Sequence, residues 1–499
     1  MGISPNCDIM KVIRSSFVVF FFLMFLHPGA FAQIDDFRKQ YGAFKQQAGL
    51  KYDEFRNEAN RQYADFLRKA WQQYKTLPAI PKPKDEEVRP VVMPEEDKDK
   101  PIDNKPVIIE EVIAPPVPEP QPVPVAPIRE RPKPEEKYVT FRFYGTDCKV
   151  RFDEARMFSI SGTDGNALAK AWGVLSGESY NNTIRDCLEL RIRMNLCDWA
   201  YLNLLDTMSR ACLGRTNEAT VLMAYIYCQS GYKMRLGLAG DKVCLLYASA
   251  HNIYDTGYFS IGGEKFYPFR CDASQMSICE ASFPEEQPLS LLLAKEQVFT
   301  CDMTQRRTLQ SVRYPDVKME IAINKNLIDF YDTYPVSDLG DNFMTRWAIY
   351  ANTPVSKEAK EGLYTALKEK TDGLGKLEAA ERFLNFVQTA FVYEYDDKVW
   401  GHDRAFFAEE TLYYPYCDCE DRSILFSHLV RDLLGLETVL VYYPGHLATA
   451  VCFDEEISGD YIVLGNKRFI VCDPTYIGAS VGMTMPGMDN KKATVILLH

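Results

Sequence analysis

The chain has no basic excess: Lys and Arg number 57 against 69 Asp and Glu, a formal charge of −12 with no basic stripe, which argues against a nucleic-acid partner. Beyond its start it has no apolar run long enough to cross a bilayer, so no transmembrane segment is expected. Histidine is scarce, at six, and none of the 14 cysteines forms a Cys-x-x-Cys pair. The spacing of Cys417, Cys419 and His428 does not suit a structural zinc site either, so no metal is expected. Nothing in the sequence suggests a cofactor.

The start of the chain carries an address. Lys11 and Arg14 precede an apolar run over 17–26, and Ala30-Phe31-Ala32 supplies small residues where a signal peptidase needs them. Residues 1–32 are therefore expected to be a signal peptide cleaved after Ala32, leaving a periplasmic or secreted product. Export permits disulfides. Cys228, Cys244 and Cys452 sit inside apolar runs, so few bridges are expected.

Residues 33–77 show an eleven-residue recurrence: Tyr41, Tyr52, Tyr63, Tyr74; Phe44, Phe55, Phe66; Ala48, Ala59, Ala70. Eleven residues are close to three helical turns, so the series share one stripe of a single helix. Residues 34–76 are a possible surface for self-association or for an envelope partner. Residues 78–135 follow as a Pro-rich linker with sixteen of the 28 prolines falling within 78–134. Such a segment is expected to be disordered, extended polyproline-like chain, reaching on the order of 150 Å.

The chemistry lies near the C-terminus, in Tyr416-Cys417-Asp418-Cys419-Glu420-Asp421-Arg422-Ser423. Apolar residues at Ile424, Leu425, Leu429, Val430, Leu433 and Leu434 have a helical period and Gly435 is a stop signal, which puts Cys419 at a helix N-terminus where an anion is favoured. Asp418, Glu420 and Asp421 push the other way, so a thiolate there needs an imidazolium. His428 lies about 13 Å along the same helix, too far to serve. His446 is left, between the strand-like run Glu437–Tyr443 and another over 447–453. Asp473 ends the run Lys467–Cys472 ahead of Pro474, where it can orient the imidazole.

Cys-x-Asp at a helix start, a strand, His, and a strand ending in Asp-Pro resemble the transglutaminase-like, papain-like cysteine-protease core over about residues 356–499. The resemblance implies Cys419 as nucleophile, His446 as general base and acid, and Asp473 as the residue that fixes the histidine. It implies an α+β fold in which the helix carrying Cys packs on an antiparallel sheet carrying His and Asp. That family often has an upstream tryptophan helping to hold the oxyanion; here the helix reads Phe386-Val387-Gln388. Gln388 and the backbone N–H of Cys419 are the candidate oxyanion donors.

Residues 136–280 look like a degenerate, non-catalytic copy of the same core. Glu218 falls opposite Asp421, Val221-Leu222 opposite Ile424-Leu425, Gly231 near Gly435 and Gly263 opposite Gly465. Thr216 then takes the nucleophile position. No histidine aligns with His446, His251 is off register, and Asp272 stands without its partners. Residues 281–355, with strand-like runs over 289–293 and 317–323, are expected to form a β-rich connecting module ahead of the catalytic domain at 356–499. The expected activity is thiol-dependent cleavage or transfer at the amide bonds of a peptide or protein substrate, through a thioester. The alternative is a non-catalytic envelope binding or scaffold protein built from two such domains.

Overall fold

The computed structural model describes residues 30–70, 76–80, 106–153 and 157–499, so residues 1–29 of the expected signal peptide 1–32, Tyr74 and linker residues 81–105 lie outside the described residues. The chain is mixed α+β. It divides into two units, one up to Ala59 and one from Asn60 onward. The long helix spans Ala30–Ala70. In the first unit Tyr52 and Phe55 are exposed. In the second, Tyr63 and Leu67 are buried while Phe66 is 46 % exposed, so the aromatic stripe splits into an inward tyrosine and an outward phenylalanine. Asn60 anchors this end: it exchanges hydrogen bonds with the Gln229 amide and accepts one from the Trp172 indole. Among the described residues no helix is long and apolar enough to cross a membrane.

The rest of the second unit holds one architecture twice. The first copy is a helix, Asn217–Gln229, followed by strands Met234–Ala239, Lys242–Ala248, Phe259–Ile261, Glu264–Pro268 and Gln275–Cys279. The second is a helix, Cys419–Leu429, followed by Glu437–Tyr443, His446–Cys452, Tyr461–Leu464, Lys467–Cys472 and Thr494–Leu497. If each set of strands is lettered a to e along the chain, both sheets run c-d-b-a-e in space. Five strands have many possible orders, so this agreement is evidence of an internal repeat rather than of two chance helix-and-strand stretches. A glycine of positive φ follows each: Gly231, at +94°, lies two residues past the first helix, and Gly435, at +64°, ends the wider turn Val430–Leu434 that prolongs the second.

The Pro-rich segment corrects the expectation of a disordered spacer wherever it is described. Thr76–Pro78 pairs with Gln275–Cys279 beside strand e of the first copy. Pro106–Val107 pairs with Tyr461–Leu464 at one edge of the second sheet, and Glu111–Ile113 with Thr494–Leu497 at the other. Residues 107 and 111 are four apart and can reach at most about 14 Å. Seven strands laid open at ~4.8 Å spacing would hold their edges ~29 Å apart. The second sheet must therefore curl until its edges nearly meet, with the linker stitched across the seam. Val107 lies in the resulting core beside Val439, Val441, Ala450, Ile462, Val471 and Val495.

Farther on, the segment lies against the first copy. The Gln121 amide donates to Leu196 O at 2.8 Å, Arg191 to Pro122 O at 2.9 Å and Asn181 to Arg129 O at 3.0 Å. A Cβ on Gly231 would fall 2.1 Å from Val123 O, so only glycine lets the two backbones approach. Proline suits such a role: its extended backbone needs no internal partners and contributes little conformational entropy to be lost. Val107→Asp, which places a carboxylate in the closed core, is expected to destabilise the domain by about 2–4 kcal/mol in a urea titration of the full chain. An unchanged midpoint would mean the segment is a free spacer.

One further expectation is corrected. Residues 281–355 are not β-rich: they hold one hairpin, Arg307–Gln310 with Lys318–Ile321, two short helices, Lys325–Tyr331 and Thr345–Ala351, and a two-residue strand, Ser337–Asp338. The run 289–293 is irregular chain touching the first copy's sheet at the bridge between Ser249 and Leu289. Cys244 forms a disulfide with Cys271, the one bridge among the described residues and in keeping with the expectation of few, which joins strand b of the first copy to the chain just after strand d.

Candidate active site

The cysteine helix begins where the sequence puts it. Asp418 is the N-cap, and the capping box closes as the Asp418 N–H donates to Asp421 Oδ2 at 3.1 Å. Asp421 Oδ1 accepts from the Phe406 N–H at 2.8 Å, tying the helix start to the incoming loop. Ser423 Oγ donates to Leu447 O at 2.8 Å, fixing the helix on strand b. The Leu447 N–H in turn points at the Cys419 sulphur and favours its ionised form. The thiol thus rests against the residue that follows His446.

His446 opens strand b after the Pro444-Gly445 turn, where Gly445 has φ +83°. Asp473 follows strand d, and the two strands are in register at Thr449 and Cys472, with Thr449 Oγ1 donating to Cys472 O at 2.6 Å. That register brings His446 Nε2 to 2.8 Å from Asp473 Oδ2, both side chains being buried. A carboxylate only accepts, so Nε2 carries the hydrogen and Nδ1 the lone pair. Nδ1 is buried and has no hydrogen-bond partner. The other Asp473 oxygen, Oδ1, accepts from the N–H groups of Thr475 at 2.9 Å and Tyr476 at 3.1 Å, so the carboxylate cannot turn away.

Gln388 does not serve as an oxyanion donor. It is fully buried, and its amide nitrogen is engaged by three carbonyls, Asp473 O at 3.0 Å, Tyr476 O at 2.8 Å and Ala479 O at 3.1 Å. It braces the loop that carries Asp473. Arg422, one turn into the cysteine helix and fully buried, donates to Gln388 O at 3.2 Å and Phe391 O at 3.0 Å and lies over the Tyr393 ring. It thereby caps the end of the helix Lys376–Thr389.

The thiol is not at rest on the histidine. Cys419 is 6 % exposed, and its S–H donates to Glu420 Oε2 at 3.1 Å. Burial, then the charges of Glu420 and Asp418, hold its pKa well above the ordinary thiol value. Sequence reasoning recognised these carboxylates as opposing charges and missed the direct contact, whose only signal was adjacency at a helix start. Burial is also the first cause that pushes Asp396, Asp418, Glu420 and Asp421 upward, followed by repulsion from a neighbouring carboxylate, which for Glu420 is Asp403 and for the others is one of the four. Arg346 offsets part of this charge through Asp403 at 2.5 Å.

Three overlapping sets bring their donor atoms within 4.8 Å, the spacing a cation bridges: Asp418, Cys419 and Glu420; Asp396, Asp403 and Glu420; Asp396, Asp418 and Asp421. Asp396, Asp403, Glu420 and Asp421 already face N–H, guanidinium or S–H donors, and His428 is in none of the sets. His428 is buried, its pKa forced well down by burial and then by Arg431. His251 belongs to the first copy, held between Ser337 Oγ and the Leu291 N–H.

The first copy answers its own question. Thr216 is an N-cap, its Oγ1 accepting from the Ala219 N–H, and so corresponds to Asp418 rather than to Cys419. Asn217 corresponds to Cys419: its Oδ1 accepts from the N–H of Val243, the second residue of strand b, as the Cys419 sulphur does from Leu447. Lys242 then stands where His446 does. Neither an attacking group nor a base is present there.

Compared with protein-family models, with curated proteins and with solved structures, the chain matches none.

Proposed function

We propose that this protein is an exported, thiol-dependent amide-bond enzyme, a transglutaminase-like cysteine peptidase or amidase with a papain-like catalytic core. Cys419 is the nucleophile, His446 the base and acid, and Asp473 the orienting carboxylate. The observation that carries the reading is the buried His446–Asp473 pair at 2.8 Å with Nδ1 left bare, on the strand to which Ser423 fastens the helix that begins at Cys419. A buried imidazole with one nitrogen unpartnered is costly for stability alone. It is useful where a proton must be taken up.

In this mechanism Nδ1 accepts the Cys419 proton and the thiolate attacks the carbonyl carbon of the amide. The oxyanion meets the backbone N–H of Cys419 at the positive end of its helix. His446 then gives the proton to the leaving amine, a thioester remains on Cys419, and water resolves it with His446 again as base. The substrate is a peptide or protein amide.

One observation favours a second reading, a non-catalytic envelope binding or scaffold protein: the thiol is nearly closed off and hydrogen-bonded to a carboxylate. The two readings separate in the alkylation rate of Cys419 against pH, followed by peptide mapping, in the full chain and in His446→Ala. The enzyme reading expects labelling below pH 8 that falls at least about tenfold in the variant. Labelling that ignores His446 at every pH leaves the scaffold.

A further inference from the structure

Cys419 has two candidate acceptors for its proton, and the structure pairs it with the one the mechanism does not use. Glu420 Oε2 takes the S–H at 3.1 Å while His446 Nδ1, buried, has no partner. Glu420 is the next residue on the same helix turn, and its carboxylate is itself buried at 3 % exposure. It is not there to cap the helix, because Asp418 and Asp421 complete that task between them. Arg346 draws the Glu420 carboxyl toward its charged form while forming an ion pair with Asp403, and the Asp418 carboxyl is a second hydrogen-bond partner of Glu420.

We propose that Glu420 is a brake on the nucleophile: its carboxylate holds the Cys419 thiol in a protonated, inward resting state, and catalysis requires the S–H to leave Glu420 for His446 Nδ1. The inference rests on the Cys419–His446–Asp473 reading and adds a positioning residue to it. The proton balance is simple. In the resting state the S–H donates to Glu420; after rotation of the Cys419 side chain the S–H faces Nδ1, the proton passes from sulphur to Nδ1, and a thiolate and an imidazolium remain. No other bond changes.

The groups around Glu420 set the strength of the brake. On its own helix and at its cap are Asp418, Cys419 and Asp421; from the short helix Asp396–Val399 comes Asp396 and from the loop after it Asp403; from the helix Thr345–Ala351 comes Arg346; the phenol of Tyr393 faces it and the thiol from the strand Val392–Tyr393. Carboxyls outnumber cations here, so the local field opposes a thiolate for as long as Glu420 is an anion.

The test is the rate of Cys419 alkylation by iodoacetamide at pH 7.5 in the full chain, compared among wild type, Glu420→Gln, His446→Ala and the double variant. The brake predicts that Glu420→Gln reacts about tenfold faster or more, with its onset at least about one pH unit lower, since an opposing charge this close moves a pKa by about one to three units. The gain must vanish in the double variant. Glu420→Ala gives the same reading if the glutamine variant does not fold. A slower Glu420→Gln would make Glu420 the base, and an unchanged rate would make it a bystander; either overturns the brake while His446 dependence in the wild type keeps the triad. Indifference to His446 in both backgrounds overturns the triad itself. A purely structural role for Glu420 would move the melting temperature and leave the onset pH in place.

Discussion

Asp473→Asn is expected to slow Cys419 alkylation by about a thousandfold or more with the fold left in place, because the change reverses the imidazole tautomer. Two backbone N–H groups, from Thr475 and Tyr476, point at Asp473 Oδ1. In the asparagine variant they hold the amide oxygen at that position, which leaves the NH2 group where Oδ2 was. An NH2 group only donates. His446 must then offer a lone pair at Nε2 and carry its hydrogen on Nδ1, so it can no longer accept the thiol proton. Nitrogen-15 shifts of the His446 ring would show the exchange directly, and circular dichroism would report an unchanged fold. If the variant kept the wild-type tautomer and rate, the pair at 2.8 Å would be structural only.

Gln388→Leu is expected to lower stability by about 3 kcal/mol and to reduce Cys419 reactivity along with it. The side chain is buried, and one amide group is the donor to three carbonyls of the loop over 473–479. Removing it leaves buried acceptors without donors, each costing about 1–3 kcal/mol, partly offset as the loop relaxes. Relaxation of that loop also moves Asp473 away from His446. An oxyanion donor would behave differently, losing turnover at an unchanged urea midpoint, so the two measurements together decide between brace and donor.

Much of the second copy was legible because its signals are local. The helix at Cys419 was readable from a periodic apolar run closed by Gly435, and strands a, b and d from alternating or continuous apolar runs between turn residues. The repeat was legible in outline from helix and glycine spacing. Its register at Cys419 was off by one, because matching Glu218 to Asp421 sets Thr216 against Cys419, whereas the helix caps set Thr216 against Asp418. The split of the aromatic stripe could not be read at all: Tyr63 carries a hydroxyl that Phe66 lacks, so polarity would turn the phenylalanine inward, and only the packing around Trp172 and Phe283 selects the tyrosine.

The linker was misread for a different reason. Composition reports whether a segment can bury a core of its own, and a stretch with so many prolines cannot. It does not report whether the segment adds strands to a core built by others, which here depends on exposed strand edges more than 300 residues away. The role of Gln388 was hidden in the same way, since its three partners lie 85 to 91 residues along the chain.

What the sequence determined by itself is the set of chemical parts and the short elements that carry them: a cysteine at a helix start, a histidine opening one strand and an aspartate closing another. Local propensity and periodicity suffice for that, because each is written within a dozen residues. The tertiary structure alone decided the pairings: His446 with Asp473, the thiol with Glu420, Gln388 with three carbonyls, and a proline-rich strand with each sheet edge. Those contacts follow from strand register and burial, which bring distant residues within hydrogen-bond reach only after the chain has closed on itself.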